Sequence, residues 1–156
     1  MTKCQETALV SCTSIFLVVL FDRLSKLFFL NLLSLGESIP VVRNIFHFTL
    51  VHNTGIAFGL FKDQGMFFLV VSLFAIFVFG WLLYSQSKEQ TLSRLSRLAF
   101  SLIIGGALGN FIDRLQFGFV IDFIDFRIWP VFNIADSAIT IGAFILIITC
   151  IPSSAK

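Results

Sequence analysis

The sequence predicts a mostly α-helical integral membrane protein with four transmembrane helices. Its mean hydropathy is +0.96 and 13% of its 156 residues are charged, whereas soluble domains carry about 25% charged residues. Four apolar runs approach the length of about 20 residues that a helix needs to cross a bilayer. A chain of this length forms one domain, so we predict a single membrane domain over residues 1–156.

The four predicted transmembrane helices cover residues 7–33, 64–84, 98–115 and 132–151. The second carries no charge, whereas the other three reach the length of a span only by including polar residues at their ends. The apolar run that begins at Ala8 follows Lys3, as in a signal peptide, but no small-residue cleavage site ends it. We therefore expect the first helix to be retained in the mature protein.

The three connections between these helices differ in composition. The first, residues 34–63, is broken by glycines and a proline and alternates like a β-strand at residues 46–50. The second, residues 85–97, is polar, and the third, residues 116–131, is acidic. Basic loop residues are more numerous on the side of the second connection, which predicts that both termini are cytoplasmic. The net charge of +2 includes no basic block, so we expect no nucleic-acid partner.

Polar residues line one face of three predicted helices, at the ends that emerge on the same side of the membrane. Their spacing along each helix places the members of a set on a single face. The sets are Asp22, Ser25 and Lys26 on the first helix, Gly106, Gly109, Asn110 and Asp113 on the third, and Asn133, Asp136, Ser137 and Thr140 on the fourth. The sequence therefore predicts a shallow polar cluster near one surface of the bilayer.

Each of these features also has a purely structural interpretation. The G-x-x-x-G motif at residues 105–109 is typical of helices that pack closely against a neighbour. Asp22 and Lys26 are spaced i, i+4 for an ion pair at a membrane boundary, and the adjacent residues Asp113 and Arg114 are a second candidate ion pair. These interpretations account for each charge singly, but they do not explain why the polar faces share one side.

Asp122 and Asp136 are the strongest candidates for chemistry. Asp136 precedes the uncharged residues 137–155, and a carboxylate at the centre of a membrane helix costs about 2.5–3.5 kcal/mol. Trp129 and Pro130 turn the chain between the two aspartates, and neither carboxylate has an evident basic partner. Two carboxylates in a low-dielectric site share a proton, and together they can activate a water to attack an amide.

This arrangement matches aspartic-protease chemistry, which needs neither a metal nor a cofactor. No G-x-S-x-G or H-E-x-x-H motif competes with it, and His47 and His52 point to opposite faces of an extended segment, so we predict no metal site. The residues leave a second interpretation open, which is proton-coupled transport through a relay of shallow carboxylates. Four helices without an inverted repeat favour the protease over the transporter.

The chain resembles the lipoprotein signal peptidase (signal peptidase II) family of bacterial membrane aspartyl proteases. Five blocks carry the resemblance, and they follow one another in the family's order over nearly the whole chain. The blocks are D-R-L-S-K at residues 22–26, N-T-G-I-A-F at 53–58, G-G-A-L-G-N-F-I-D-R at 105–114, V-I-D-F at 120–123 and F-N-I-A-D-S at 132–137. Each block is weak alone, but the five together are specific.

The resemblance implies that Asp122 and Asp136 form a catalytic dyad. It also implies that further residues line or support the site, namely Asn53, Gly55, Asn110, Asp113, Arg114, Asn133 and Ala135, with Asp22 and Lys26 in less direct supporting roles. The implied reaction removes signal peptides from prolipoproteins by hydrolysing the peptide bond before a cysteine that carries diacylglycerol. The family uses no cofactor for this reaction.

The resemblance further implies a location in the bacterial cytoplasmic (inner) membrane, with the active site near the extracytoplasmic face and both termini inside. The substrate is part peptide and part lipid, so it arrives laterally from the bilayer, and we expect the enzyme to be a monomer. In the family, a small strand-rich platform and a mobile lid cover the substrate. Residues 34–63 would supply both here, with Gly55 letting the backbone lie close to the extended peptide.

Overall fold

The computed structural model describes residues 3–55, 65–89 and 91–150, with side chains from residue 8 onward. The elements are α1 (Lys3–Leu32), β1 (Ser38–Val42), β2 (Phe46–Asn53), α2 (Gly65–Lys88), α3 (Arg94–Phe117), β3 (Val120–Asp125) and α4 (Ile134–Cys150). Helices α1, α2 and α3 are long and apolar enough to cross a membrane, and α4 is an apolar helix of 17 residues. The predicted class, a mostly helical membrane protein with a small strand-rich part, is confirmed.

Helix α3 lies at the centre of the bundle and packs against α1, α2 and α4. In its apolar stretch 56% of the residues are buried, against 11% in α1 and 6% in α2. The outer faces of α1 and α2 expose many phenylalanine, leucine and valine side chains, which suit contact with lipid. The other helices are therefore assembled on α3.

Glycines allow α1 and α4 to approach α3 closely. A Cβ atom on Gly105 would lie 2.8 Å from the Cβ of Val18 in α1. A Cβ atom on Gly106 would lie 2.3 Å from the carbonyl oxygen of Ala135 in α4. The packing role of the G-x-x-x-G motif is thus confirmed, and the close approach brings the polar ends of three helices together.

Both ends of α3 are capped. The Ser93 side chain accepts a hydrogen bond of 3.0 Å from the Ser96 backbone N–H, so the helix begins at Arg94, before the predicted start at residue 98. At the other end Gly118 adopts a left-handed conformation with φ +79°, and its N–H donates to the Arg114 carbonyl oxygen. This turn leads the chain directly from α3 into β3.

The three strands form one antiparallel sheet in the order β1-β2-β3. The alternation at residues 46–50 predicted β2, but the other two strands lack that pattern. Edge strand β1 contains Pro40, and β3 is buried on both faces, so its sequence is nearly all apolar apart from two aspartates. The platform is therefore not supplied by residues 34–63 alone, because β3 completes it. Residues 56–64, the rest of the predicted lid segment, lie outside the described residues.

A small apolar cluster fixes the sheet to the end of α1. Its buried members are Phe29, Leu33, Leu50, Ile121 and Phe123. The rings of Phe29 and Phe123 stack with their centroids 4.3 Å apart, and an aromatic pair of this kind contributes about 0.5–1.5 kcal/mol beyond its area burial. This cluster holds β3, and with it Asp122, against the helices.

Candidate active site

A cleft of about 170 Å³ opens where the ends of α3 and α4 meet the sheet. Its lining includes both polar residues and a run of consecutive apolar residues, 129–132. The lining residues are Asn53, Gly55, Asn110, Arg114, Val120, Trp129, Pro130, Val131, Phe132 and Asp136. Four of the predicted supporting residues and one predicted catalytic aspartate therefore border a single cavity.

The structure brings the two predicted catalytic aspartates together through three asparagines. The Asn133 side chain donates to Asp122 Oδ1 at 2.7 Å, and its backbone N–H donates to Asp136 Oδ2 at 3.3 Å. The remaining oxygens accept from Asn53 Nδ2, 2.9 Å from Asp122 Oδ2, and from Asn110 Nδ2, 2.7 Å from Asp136 Oδ1. Each carboxylate oxygen thus has a donor, and every one of these donors is a neutral amide.

Local sequence explains the position of Asp136. Asn133 is the N-cap of α4, and its Oδ1 accepts a hydrogen bond of 2.8 Å from the Asp136 backbone N–H. Because the Asp136 carboxylate accepts the Asn133 N–H in return, the two residues form a capping box. The first turn of a helix also favours negative charge. The N-x-x-D spacing therefore orients the Asp136 carboxylate by helix capping, in addition to the hydrogen bond from Asn110.

Asp122 reaches the site from β3 and is 1% exposed. Burial raises the pKa of Asp122 to about 8, and the nearby charge of Asp136 adds to the increase. Hydrogen bonds from Asn53 and Asn133 oppose this increase without cancelling it. At neutral pH the pair therefore keeps a proton, which is the state that acid–base catalysis by two carboxyl groups requires.

A second group of charges lies beside the dyad, and we call Asp22, Lys26 and Asp113 the ion cluster. All three residues are 0% exposed. The Lys26 ammonium contacts Asp22 Oδ2 at 2.7 Å, Asp113 Oδ2 at 2.8 Å and Asn110 Oδ1 at 3.1 Å. The first two contacts are ion pairs, and the third is a hydrogen bond that the ammonium donates.

The ion cluster sets the orientation of Asn110. Its Oδ1 accepts from both Lys26 and Asn133, the latter at 3.1 Å. With the oxygen occupied in this way, the amide nitrogen must point towards Asp136. One cation of the ion cluster therefore determines which hydrogen bond the dyad receives from α3.

The two carboxylates of the ion cluster also hold the backbone on either side of the dyad. Asp22 Oδ1 accepts the Ala135 N–H at 2.9 Å, in the first turn of α4. Asp113 Oδ2 accepts the Ile121 N–H at 3.1 Å, next to Asp122 in β3. Asp22, Lys26, Asp113 and Ala135 therefore lie behind the two aspartates. None of the four residues lines the cleft.

Gly55 and Arg114, two further predicted site residues, also occupy defined positions. The Gly55 N–H donates to Asn53 Oδ1 at 3.0 Å, which turns the Asn53 amide nitrogen towards Asp122. Arg114 borders the cleft, donates to Ser72 Oγ at 3.2 Å and lies over the Phe68 ring.

The predicted faces of the helices extend further than the site does. The Ser25 and Ser137 hydroxyls donate to backbone carbonyls of their own helices, and Thr140 is exposed. The alternative pairing of Asp113 with Arg114 is wrong, because Asp113 pairs instead with Lys26 and with Arg23. The Asp22–Lys26 ion pair is confirmed.

Sequence reasoning missed Arg23. Its guanidinium contacts Asp113 and donates to Gln116 Oε1 at 2.8 Å, so it ties α1 to α3 beside the ion cluster. The residue stands between Asp22 and Leu24 in the first block of the resemblance. Only the packing of α1 on α3 shows that it shares an aspartate with Lys26.

A family model described as signal peptidase (SPase) II matches residues 14–152. The chain belongs to the signal peptidase II family. This result confirms the predicted family and enzyme class, since signal peptidase II enzymes are aspartic peptidases, and it decides against the transport alternative.

Individual relatives agree with the signal peptidase II assignment. The lipoprotein signal peptidase of Halothermothrix orenii is 44% identical over 134 residues, covering 86% of this chain and 90% of the relative. That of Moorella thermoacetica is 47% identical over 131 residues, covering 83% and 85%. A solved structure described as a bacterial membrane enzyme superposes with a TM-score of 0.81 at 32% identity, covering 94% of this chain and 93% of the other.

Proposed function

We propose that this signal peptidase II removes signal peptides from prolipoproteins by hydrolysing the peptide bond before a diacylglyceryl-modified cysteine. The observation that carries the proposal is the pairing of Asp122 with Asp136 at a cleft between polar and apolar walls. Both carboxylates are held by neutral amides and joined through Asn133. The pair can therefore share one proton, as an aspartic peptidase requires.

The proposed reaction uses one ionised and one protonated carboxyl group. The ionised group removes a proton from a water molecule, whose oxygen attacks the carbonyl carbon of the scissile bond, while the protonated group donates to the carbonyl oxygen. When the tetrahedral intermediate collapses, the C–N bond breaks and the proton held by the first carboxyl group passes to the departing cysteine nitrogen. A hydroxyl proton of the intermediate returns to the second carboxyl group as the carbonyl re-forms, which regenerates the starting state. Because Asp122 and Asp136 titrate as a pair, base and acid are roles of the pair.

The apolar wall of the cleft supports a lipid-linked substrate. This wall is the run of consecutive apolar lining residues Trp129, Pro130, Val131 and Phe132. The cleft lies at the ends of apolar helices, so a substrate anchored in the bilayer can reach it by lateral movement. The diacylglycerol group would remain in lipid while the peptide crosses the dyad.

We further propose a location in the bacterial cytoplasmic membrane, with the cleft near the extracytoplasmic surface and both termini in the cytoplasm. The greater number of basic loop residues on the side of both termini supports this orientation. The outer faces of α1 and α2 are covered with exposed apolar side chains, which supports a monomer surrounded by lipid.

A cleavage assay tests the proposed function. Purified wild type, Asp122→Asn and Asp136→Asn would each be incubated with a diacylglyceryl-modified prolipoprotein and with its unlipidated precursor, and products separated by gel shift. We expect the wild type to cut only the lipidated form and both variants to cut neither. Glu37→Gln, which changes an exposed carboxylate near the sheet, is the matched control and should retain cleavage.

Two results would contradict the proposal. Cleavage retained by either aspartate variant would exclude the dyad as the source of catalysis. Efficient cleavage of the unlipidated precursor by the wild type would remove the lipid requirement. The integrity of each variant is checked by its unfolding temperature in detergent, so loss of fold is not mistaken for loss of catalysis.

A further inference from the structure

A second polar network lies on the sheet, apart from both the dyad and the ion cluster. We call it the Arg127 latch, and its members are Ser38, His47, Thr49, Asp125 and Arg127. They come from β1, β2, β3 and the loop that follows β3. His47 and Asp125 are buried, with 7% and 5% exposure, so the network is more than a set of surface polar groups.

Arg127 is the centre of the latch. Its Nε donates to His47 Nδ1 at 3.1 Å and its Nη2 donates to Ser38 Oγ at 3.4 Å. Its Nη1 lies 3.4 Å from Asp125 Oδ2, and its backbone N–H donates to Asp125 Oδ1 at 2.8 Å. One side chain therefore joins the loop to all three strands.

The Asp125 carboxylate is ionised to receive these contacts. Burial alone would raise the pKa of Asp125, but hydrogen bonds from Thr49 and from the Arg127 N–H, with the guanidinium charge, hold that pKa below its usual value. The Thr49 hydroxyl donates to Asp125 Oδ2 at 2.7 Å and lies 2.8 Å from Ser38 Oγ. Both oxygens of the Asp125 carboxylate thus accept hydrogen bonds, Oδ1 from the Arg127 N–H and Oδ2 from the Thr49 hydroxyl.

The latch determines the path of residues 125–131. Backbone hydrogen bonds between Ile124 and Phe132 close the base of this loop. Within it, Arg127 has φ +66°, a left-handed conformation that residues other than glycine adopt rarely and keep only where surrounding contacts enforce it. The bend directs the next residues towards the cleft, where Trp129 and Pro130 form part of the apolar wall.

We propose that Arg127 is a positioning residue for the peptidase: it fixes the loop so that Trp129 and Pro130 form the wall against which the lipid-linked peptide is bound. The inference rests on the proposed function and adds to it a determinant of substrate binding outside the dyad. Arg127 touches none of the groups that carry the reaction, so its effect is exerted on binding of the substrate.

A merely structural role for Arg127 fits the contacts less well. The sheet is already held by its backbone ladder and by the apolar cluster that includes Phe29 and Phe123. The Arg127 side chain is 45% exposed, and ion pairs of that exposure contribute little to stability. What the contacts do specify is the left-handed bend two residues before Trp129.

The chain contains two tryptophans, Trp81 and Trp129, which permits a direct test. In a Trp81→Phe parent, Trp129 becomes the sole fluorescent tryptophan, and Trp81 lies exposed on α2 away from the cleft. Arg127→Ala is compared with Arg43→Ala, which removes an exposed arginine from the turn between β1 and β2. Both variants are measured for Trp129 emission and anisotropy and for cleavage of the diacylglyceryl-modified prolipoprotein.

We expect Arg127→Ala to lower the Trp129 anisotropy and to raise KM by about 5–10-fold while kcat changes by less than about twofold, since a displaced binding wall weakens substrate binding before it affects chemistry. Thr49→Val, which removes one supporting hydroxyl without changing volume, should shift KM the same way by a smaller factor. Arg127→Lys keeps the charge but not the fork of donors, so it should restore only part of the binding. Arg43→Ala should match the parent in every measurement.

Two outcomes would overturn the inference. One is an Arg127→Ala protein whose Trp129 signal and KM equal those of the parent. The other is a fall in kcat and unfolding temperature with KM unchanged, which would identify a structural role. A wild-type protein that folds but cuts no lipidated precursor would instead refute the proposed function, while the Trp129 signal would still decide whether Arg127 fixes the loop.

Discussion

Four aspartates, of which Asp22, Asp113 and Asp122 are buried and Asp136 is partly buried, form two contrasting pairs. Asp22 and Asp113 both contact the Lys26 ammonium, at 2.7 and 2.8 Å. Asp122 and Asp136 accept hydrogen bonds from amide groups of Asn53, Asn110 and Asn133. The residue type is the same, so the difference in role comes from the partners. A carboxylate beside a cation has its charge compensated, whereas two neighbouring carboxylates held by neutral amides cannot both ionise easily and share a proton.

The two pairs depend on one another. The ion cluster holds the Ala135 and Ile121 backbone amides and turns Asn110 towards Asp136. Asp122 and Asp136 are therefore held in place without a cation of their own. The neighbouring ion cluster, whose charges compensate one another, fixes the groups that donate hydrogen bonds to them. A low-dielectric site tolerates such proton-sharing carboxyls only if their hydrogen-bond donors are fixed in advance.

The largest expected effect distinguishes the two pairs directly. We expect Asp122→Asn to lower the rate of cleavage by at least about 10³-fold, because positioned acid–base groups contribute roughly 10²–10⁴-fold. The same change at Asp113 should mainly lower the unfolding temperature, because Arg23 loses its ion-pair partner and Lys26 keeps only Asp22. Initial rates and unfolding midpoints in detergent measure both. An Asp122→Asn protein less stable than Asp113→Asn would contradict the contrast.

Removal of the shared cation should have the next largest effect. Lys26→Met leaves buried carboxylates uncompensated, which typically costs about 3–5 kcal/mol. Adding Asp22→Asn should recover much of this loss, because Asn can still accept the Ala135 N–H and Asp113 keeps Arg23. Chemical denaturation of the single and double variants measures the recovery. A double variant no more stable than Lys26→Met would show that charge neutralisation is not what the ion cluster provides.

Much of this contrast could be predicted from the sequence, because its signals are local. Helical spacing placed Asp22 with Lys26, and Asn133 with Asp136, and the apolar context made Asp122 conspicuous. The partners across helices could not be predicted, since the pairing of Asp113 with Lys26 depends on how α1 packs on α3. In the sequence, the glycines of α3 indicate that another helix packs closely against it, but they do not indicate which helix.

The strands show the same limit. The sequence of β2 alternates at residues 46–50 and the strand is only partly buried, whereas β3 is buried along nearly all its length and gives no such signal. The left-handed bend at Arg127 was likewise unpredictable, because its cause is a set of contacts to β1 and β2. Long-range contacts decided each feature that local sequence reasoning missed.

The contact between α3, which carries Asp113, and α4, which carries Asp136, offers a test with a smaller expected effect. A Cβ on Gly106 would lie 2.3 Å from the Ala135 carbonyl oxygen, at the start of α4, which carries Asp136. We expect Gly106→Ala to destabilise the protein by about 1–3 kcal/mol through overpacking and to reduce cleavage as α4 shifts. Gly80→Ala, in α2 with nothing within 4 Å of the added Cβ, is the matched control. It should gain roughly 0.5–1 kcal/mol from helix propensity.

Equal stability changes at Gly106 and Gly80 would show that the close approach of α3 and α4 is not under steric constraint. Gly109→Leu extends the test, since a Cβ there would lie 2.5 Å from a carboxylate oxygen of Asp22. We expect this larger side chain to displace Asp22 and to lower the unfolding temperature further. An unchanged unfolding temperature would count against close packing of α1 on α3.

The pH dependence of stability should be the smallest effect, and its sign separates Asp122 from Asp125 on the same strand. The pKa of Asp122 is raised to about 8, whereas an unfolded aspartate has a pKa of about 3.9. Between these values the folded protein binds the extra proton, so stability falls as pH rises and the loss is complete above about 8. Asp122→Asn should therefore gain stability over the wild type as pH increases from 5 to 9.

Asp125 should behave in the opposite way. Its pKa is lowered, mainly because hydrogen bonds from Thr49 and Arg127 outweigh the effect of burial, so its stabilising contribution is present above about 3.9 and is lost as pH falls through the folded value. Asp125→Asn should therefore be less stable than the wild type at neutral pH and approach it in acid. Unfolding midpoints of both variants between pH 3 and 9 measure the two trends. Parallel curves of unfolding midpoint against pH would mean that the two carboxyl groups have the same electrostatic environment. Divergent curves would show that Asp122 shares a proton and that Asp125, the other buried aspartate of β3, does not.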